Sequence, residues 1–253
     1  MSRRRPPPPP RLVRHEVAVA GLDPRHDGVT IAHLSDLHVG NLTPEGHIRA
    51  AIDLANQAAP DVVALTGDYV CWRKHEVALL RAQLGGLRAR AVVATLGNHD
   101  YFTDAKGVRA ALAHHGYDVL TNAHTAVEVR GAPLRLVGVD DPITRHDDAE
   151  AAFAGATGRA TTVALCHDPE AAPGLVARGA RLVLSGHMHG GQIYLRGVTD
   201  RIIARMGRRF RRGLYPVDDG HLYVTPGVGY SGVRVRVGEG TAAEVAVVTL
   251  RAA

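Results

Sequence analysis

Five short apolar runs, each closing on Asp, Asn or His, constrain this chain more than any other feature. Val29–Ser35 ends in Asp36-Leu37-His38, and Asp61–Thr66 leads to Gly67-Asp68. Ala91–Leu96 leads to Gly97-Asn98-His99-Asp100, and Thr161–Cys166 to His167-Asp168. Arg181–Ser185 opens onto Gly186-His187-Met188-His189-Gly190-Gly191. Runs of this length, bounded by turn-forming residues, read as buried strands. In open α/β sheets the carboxyl ends of the strands are where sites form, so five polar endings at one kind of place point to a shared pocket.

The segments between the runs carry helical periodicity. Thr43-Pro44-Glu45 reads as a helix start, Ile48, Ile52 and Ala55 recur at helical spacing, and Pro60 closes the segment. His75–Arg88 reads as a second helix with Val77, Leu80, Leu84 and Leu87 on one face, and Ala105–His115 as a third. Strand, helix, strand in this rhythm implies parallel pairing with right-handed crossovers. Beyond Gly116 the rhythm changes. Ala126–Val129 and Leu134–Val139 read as a hairpin, which suggests a second sheet packed on the first. Leu222–Thr225 and Val245–Leu250 are expected to finish that second sheet, with a possible strand at Ile193–Leu195. Asp140 and Asp141, just before Pro142, read as turn residues.

Residue chemistry at the run ends suits a metal. In an extended chain, residues two apart share a side, so Asp36 and His38 can reach one ion. Taken alone, Asp36 reads as readily as a cap and His38 as an exposed loop residue. Asn98 offers an amide oxygen, and His187 and His189 can turn into one pocket because glycines surround them. His99 beside Asp100 reads as an imidazole oriented by a carboxylate. Oxygen and imidazole donors together suit Mn, Fe or Zn, and no thiolate set favours a structural zinc. Cys71 and Cys166 are the only cysteines and imply no disulfide framework. They read as small buried residues in a reducing compartment. Trp72 and Tyr101 are candidates for a substrate groove, or equally for core or rim.

The ordered set D-x-H, GD, GNHD, H and GHxH resembles the calcineurin-like metallophosphoesterase superfamily, over roughly Val29 to Leu250. SDLHVG, LTGDYV, LGNHDYF, SGHMHGGQ, RRGLYPVDDGHLYVTPGVG and AVVTL look more narrowly like the bacterial YkuE/YaeI-type phosphodiesterase branch, which includes pyrophosphatases acting on UDP-diacylglucosamine. The resemblance implies an α/β fold of two mixed β-sheets packed as a sandwich between helices, four layers in the order α/β/β/α. It implies a dinuclear centre of two divalent ions. Asp36, His38 and His189 would hold one ion, Asn98, His167 and His187 the other, and Asp68 would bridge them. A hydroxide shared by the two ions would attack phosphorus. His99, steadied by Asp100, would serve the leaving group without binding metal. The activity implied is hydrolysis of phosphodiester or pyrophosphate bonds on a lipid- or nucleotide-linked substrate. A phosphomonoesterase acting on nucleotides or phosphoproteins uses the same centre. A non-catalytic scaffold would be expected to have lost ligands, and here all are present. The Asp that ends GNHD stands where protein phosphatases of the superfamily carry Glu.

Length and charge complete the expectations. With 253 residues, 45% of them hydrophobic, the chain suffices for one large domain, placed at 15–253. Residues 1–14, basic and proline-rich, read as a disordered arm. The net charge of +5 is uneven, with arginines crowded into the tail and into Arg201–Arg212. On a helix over Thr199–Gly213, Ile202, Ile203, Met206 and Phe210 would share a face among those arginines, a pattern suited to peripheral contact with an anionic membrane. Nothing reads as a nucleic-acid module, a signal peptide or a membrane span. A cytoplasmic monomer, at most peripheral to the inner face of the membrane, is expected.

Overall fold

A computed structural model describes residues 7–40, 42–156 and 160–253. Twelve strands appear among the described residues. In chain order they are β1 (Arg11–Val19), β2 (Thr30–Leu34), β3 (Val62–Thr66), β4 (Ala91–Thr95), β5 (Asp118–Val119), β6 (Ala123–Val129), β7 (Ala132–Gly138), β8 (Thr162–Leu165), β9 (Leu182–Ser185), β10 (Gly213–Val217), β11 (Gly220–Val224) and β12 (Glu244–Ala252). The helices are α1 (Glu45–Gln57), α2 (His75–Gln83), α3 (Asn98–Thr103), α4 (Ala105–His114), α5 (Ala149–Phe153), α6 (Ala172–Val176) and α7 (Val198–Arg205).

The strands form two six-stranded mixed sheets, ordered β1-β12-β2-β3-β4-β5 and β10-β11-β9-β8-β7-β6. The centre of the first sheet, β2 through β4, is parallel, as is β7-β8-β9-β11 in the second. Every residue of β3, β8 and β9 is buried. That accounts for their unbroken apolar sequences, since a strand covered on both faces has no solvent side to mark. Between the sheets lie Ile31, Val62, Ala64 and Val93 from one and Leu136, Val163, Leu165, Leu182 and Leu184 from the other. The outer face of the first sheet packs on α1, α2 and α4 through Ile48, Ile52, Leu80, Leu84, Val108 and Leu112. The outer face of the second packs on α5 and α6 through Ala152, Ala172, Leu175 and Val176. The order of layers is therefore α/β/β/α.

Several expectations need correction. The arm expected over residues 1–14 is ordered from Arg11, because β1 pairs in parallel with β12 along its whole length, from Arg11↔Glu244 to Val19↔Ala252. The prolines stop at Pro10, just before the ladder that they could not join. Residues 1–6 lie outside the described residues. β12 belongs to the first sheet, antiparallel to β2, and does not finish the second. Ile193–Leu195 makes only a single bridge, Ile193 to Val237. Thr43 does not cap α1; its hydroxyl instead accepts from Tyr230 N at 3.0 Å. The second helix stops at Gln83, before Gly85-Gly86. The amphipathic face expected over Thr199–Gly213 divides, because α7 ends at Arg205. Ile203 and Phe210 pack inward, Phe210 against Tyr215 at 5.2 Å, while Ile202 and Met206 stay 51% and 70% exposed. No helix among the described residues is long and apolar enough to cross a membrane.

Candidate metal centre

The loops that follow β2 and β3 are stitched together by their backbones. Asp36 N donates to Gly67 O, His38 N to Asp68 O, and Val39 N to Tyr69 O, at 2.8–3.0 Å. Gly186 N donates to His167 O at 3.1 Å, joining the ends of β8 and β9 in the same way. Within these loops Asp36, His38, Asp68, His187 and His189 all adopt left-handed backbone, with φ between +46° and +69°. This revises the expected basis of the D-x-H pairing. β2 has ended at Leu34, and the two side chains converge through left-handed turns, not through strand alternation. Asp and His tolerate that region better than most residues, yet each such position costs on the order of 1–3 kcal/mol. Gly67, at φ +90°, lies so close to Gly97 that a Cβ on either would strike the neighbouring loop.

The side chains form two groups. Ligand atoms of Asp36, His38 and His189 lie within 4.8 Å of one another, as do those of Asp68, His167 and His187. Asp68 stands between the groups: its Oδ2 is 3.8 Å from His38 Nε2 and 3.2 Å from His167 Nε2. Its Oδ1 accepts from His99 N at 2.9 Å. His38 Nε2 and His189 Nε2 face each other at 3.1 Å, and His189 Nε2 is 3.3 Å from Asp36 Oδ1. Asn98 Oδ1 and His167 Nε2 are buried with no hydrogen-bond partner. His167 Nε2 and Asp68 Oδ2 lie 3.2 Å apart, converging as co-ligands would.

Tautomers support the same reading. His38 Nδ1 faces Val70 O at 3.2 Å, and His167 Nδ1 faces Thr66 O at 2.6 Å. A carbonyl only accepts, so each Nδ1 carries a proton and each Nε2 is the nitrogen turned toward the centre. His189 is held differently. Its Nδ1 faces Arg236 Nη2 at 3.3 Å, and Arg236 is itself fixed by the carbonyls of Gly229, Pro226 and Thr241.

Burial dominates the electrostatics. It pushes the His38 and His187 imidazoles down to about 4 and His189 well below its ordinary value. It also pushes the Asp36 carboxyl up to about 6. Burial acts upward on Asp68 too, but the charges of His167, His38 and His99 outweigh it and hold that carboxyl below its usual range. His167 is raised because its pairing with Asp68 overcomes burial, and a bound cation would take the place of that proton. Neutral imidazoles with anionic carboxylates are the form that a cation needs. The orphaned Asn98 and His167 atoms, with the inward-facing imidazole nitrogens, fit a divalent metal of the Mn, Fe or Zn type.

His99 and Asp100 do not form the expected dyad. The Asp100 carboxylate accepts from Gly97 N, Asp68 N and Tyr69 N at 2.9 Å and from Val70 N at 3.3 Å, so it clamps the loops. Burial, then the nearby Asp68 charge, raises it to about 8, against the pull of those donors. Both residues lie in α3, where consecutive side chains point apart. His99 is oriented by the carbonyl of Cys71, which accepts from Nδ1 at 2.8 Å. Cys71 and Cys166 are buried, and Cys71 lies close enough to His38 and His99 to count among possible ligand atoms. Tyr101 stacks on His146 at 3.8 Å and donates to Asp140, while Asp141 accepts from Thr144 N at 2.8 Å.

Three residues near the centre were not singled out from the sequence. Arg236 lies in a glycine-rich tail with no motif around it. Glu76, buried in α2, accepts from Cys71 N at 2.7 Å and Trp72 N at 2.9 Å. Arg208 ion-pairs with Asp168, the neighbour of His167, at 2.6 Å. A run of arginines read only as charge gave no sign that one of them was tied to this loop.

Two sheets with polar strand ends gathered at one edge, around a buried set of carboxylates and imidazoles, define a metal-dependent hydrolase class. Consistent with that, the calcineurin-like phosphoesterase profile matches residues 29–191. The chain belongs to the calcineurin-like phosphoesterase family, and its domain is a metallophosphoesterase domain. The metallophosphoesterase YkoQ of Bacillus subtilis is 31% identical over 85% of this chain and 82% of its own length. A transmembrane protein with metallophosphoesterase domain from Danio rerio is 32% identical over 90% of this chain, which spans only 55% of that relative. The UDP-2,3-diacylglucosamine pyrophosphatase LpxG of Chlamydia trachomatis is 26% identical over 80% of this chain and 78% of its own length. Among solved structures, GAP50, the anchor in the inner membrane complex of Plasmodium, shares the fold at 12% identity and a TM-score of 0.50, over 87% of this chain and 80% of that one.

Proposed function

We propose that the chain hydrolyses phosphodiester or pyrophosphate bonds with two divalent cations, acting on a nucleotide- or lipid-linked phosphoester. Asp36, His38 and His189 would hold one ion, Asn98, His167 and His187 the other, and Asp68 both. The observation that carries this reading is the position of Asp68, whose carboxylate belongs to one three-residue donor group and also lies 3.8 Å from His38 of the other. When bound, such a pair supplies Lewis acidity at phosphorus and an activated water. The residues themselves do the rest. Asp100 fixes the backbone of the loop that carries Asp68 and of the loop that carries Asn98. His99, with Nδ1 committed to Cys71 O, turns Nε2 toward substrate, and as the imidazolium it would donate the Nε2 proton to the departing oxygen and be left neutral, a contribution of about 10²–10⁴ in rate. Diesterase or pyrophosphatase activity is favoured over monoesterase activity by the likeness to LpxG, named for a pyrophosphatase reaction.

The test is a hydrolysis panel after Mn²⁺ reconstitution. It compares bis-p-nitrophenyl phosphate, the monoester, cyclic nucleotides and UDP-linked lipid precursors, with Asp68→Ala as control. Turnover of diester above monoester, abolished by chelation, is expected. Unchanged activity in Asp68→Ala would defeat the proposal.

The same reading includes peripheral contact with an anionic membrane. Leu195, Val198, Ile202 and Met206 are exposed before, on and just after α7, with Arg196, Arg201 and Arg205 alongside, and exposed Ile193, nearby in sequence, bridges exposed Val237. Apolar residues ringed by arginines suit a charged interface. Flotation with anionic liposomes tests it, and absence of binding at low salt would refute it.

A further inference from the structure

The rim beside His99 carries two large aromatic side chains that the fold leaves in solvent. Trp72 is 59% exposed and Phe102 53% exposed. Neither is loosely hung. Trp72 N and Cys71 N both donate to the buried Glu76 carboxylate, and Phe102 sits in α3, two residues after the Asn98-His99-Asp100 segment. The two ring planes are parallel within 2°, with centroids 6.0 Å apart. Both stand nearly perpendicular to the His99 imidazole, at 4.5 Å and 5.8 Å from its centroid. His99 in turn stands edge-on to His38 at 5.0 Å. A single imidazole therefore separates the aromatic pair from the candidate metal ligands.

We infer that Trp72 and Phe102 form a stacking platform for a planar ring carried by the phosphoester, with a nucleobase as the ring class. This rests on the proposed phosphoesterase reading and names the substrate class for that site. A conjugated ring gains from faces that are already parallel and held in place, since little ordering is then needed on binding. An alkyl chain has no use for parallel ring planes. With a base on the platform, the sugar of a nucleotide spans the width of His99, and its phosphate comes to the side where His38 stands, toward the cations that the ligand set would hold. The platform thus selects the phosphoester by the group it bears, while the metal-binding side chains handle phosphorus.

Trp72 is the only tryptophan in the chain, so its emission reports on the platform directly. The full chain, loaded with diamagnetic Zn²⁺, is titrated with uridine 5′-monophosphate, ribose 5-phosphate and hexyl phosphate, with calorimetry giving each affinity. The nucleotide is expected to quench Trp72 and to bind about 5- to 150-fold more tightly than ribose 5-phosphate, the range of stacking one base on an aromatic side chain. Trp72→Ala and Phe102→Ala, both at exposed positions, should each pull that ratio toward one while leaving ribose 5-phosphate binding intact. Equal affinity for nucleotide and ribose 5-phosphate would overturn the platform and leave the phosphoesterase reading standing. Hexyl phosphate binding as tightly as the nucleotide would show a generic apolar rim and overturn it too. If no phosphate binds the loaded protein, the phosphoesterase reading fails and the platform fails with it.

Discussion

Replacing His33 with glutamine should flatten the acid side of the stability curve. His33 lies on β2 with no exposed surface, its Nε2 2.8 Å from Thr66 Oγ1 and its ring edge-on to Tyr223 at 6.1 Å. Its Nδ1 has no partner. Burial alone brings its pKa down to about 3, against 6.5 in the unfolded chain. Between those values the unfolded chain binds a proton that the folded chain refuses, so stability falls as pH drops below 6.5. From pH 6.5 to pH 5 that loss is about 2 kcal/mol, at about 1.4 kcal/mol per pH unit. Glutamine does not titrate, so it removes this dependence while giving up some packing and hydrogen bonding, about 1–3 kcal/mol at neutral pH. Urea unfolding of the chelated wild type and His33→Gln at pH 7.5, 6.5, 5.5 and 5.0 separates the two effects. The stability gap should narrow by about 2 kcal/mol on reaching pH 5. A gap that stays constant across that range would refute the assignment of a neutral, desolvated His33.

Gly97→Ala should weaken metal binding roughly tenfold or more, as changes just outside a ligand set do, because its Cβ would press on Asp68 Oδ1 and the His167 ring. Metal content by elemental analysis, with circular dichroism as the folding control, checks this; full metal content in the variant would contradict it. Glu76→Ala strips one buried and one partly buried N–H of their acceptor and should cost about 2 kcal/mol in chemical denaturation. An effect within about 0.5 kcal/mol, ordinary for a surface site, would show that water replaces the carboxylate freely.

The strand ends were legible because burial on both faces writes itself as an unbroken apolar run, and because Asp, Asn and His then stand out after it. Pairing across the chain was not legible. Nothing in Val245–Leu250 says whether it joins the sheet of β11 or that of β2, since either would bury the same apolar run. The error at Asp100 has a different origin. Adjacency in sequence suggested a dyad with His99, whereas on α3 the two side chains diverge and the carboxylate finds four backbone donors instead. Arg236 acts on His189 from 47 positions away, a distance at which no local pattern can signal contact. The division of the α7 face followed from where the helix ends, and a run of arginines carries no marker for that point.

The left-handed turns at Asp36, His38, Asp68, His187 and His189 restrict what mutation can do to this site over time. A β-branched replacement at any of them would be strained on backbone grounds whatever its chemistry. Drift is therefore channelled toward asparagine and glycine, which accept the turn. A descendant that gave up hydrolysis while keeping its shape would carry those two residues where the ligands had been, so its ancestry would remain visible in the turns after its activity had gone.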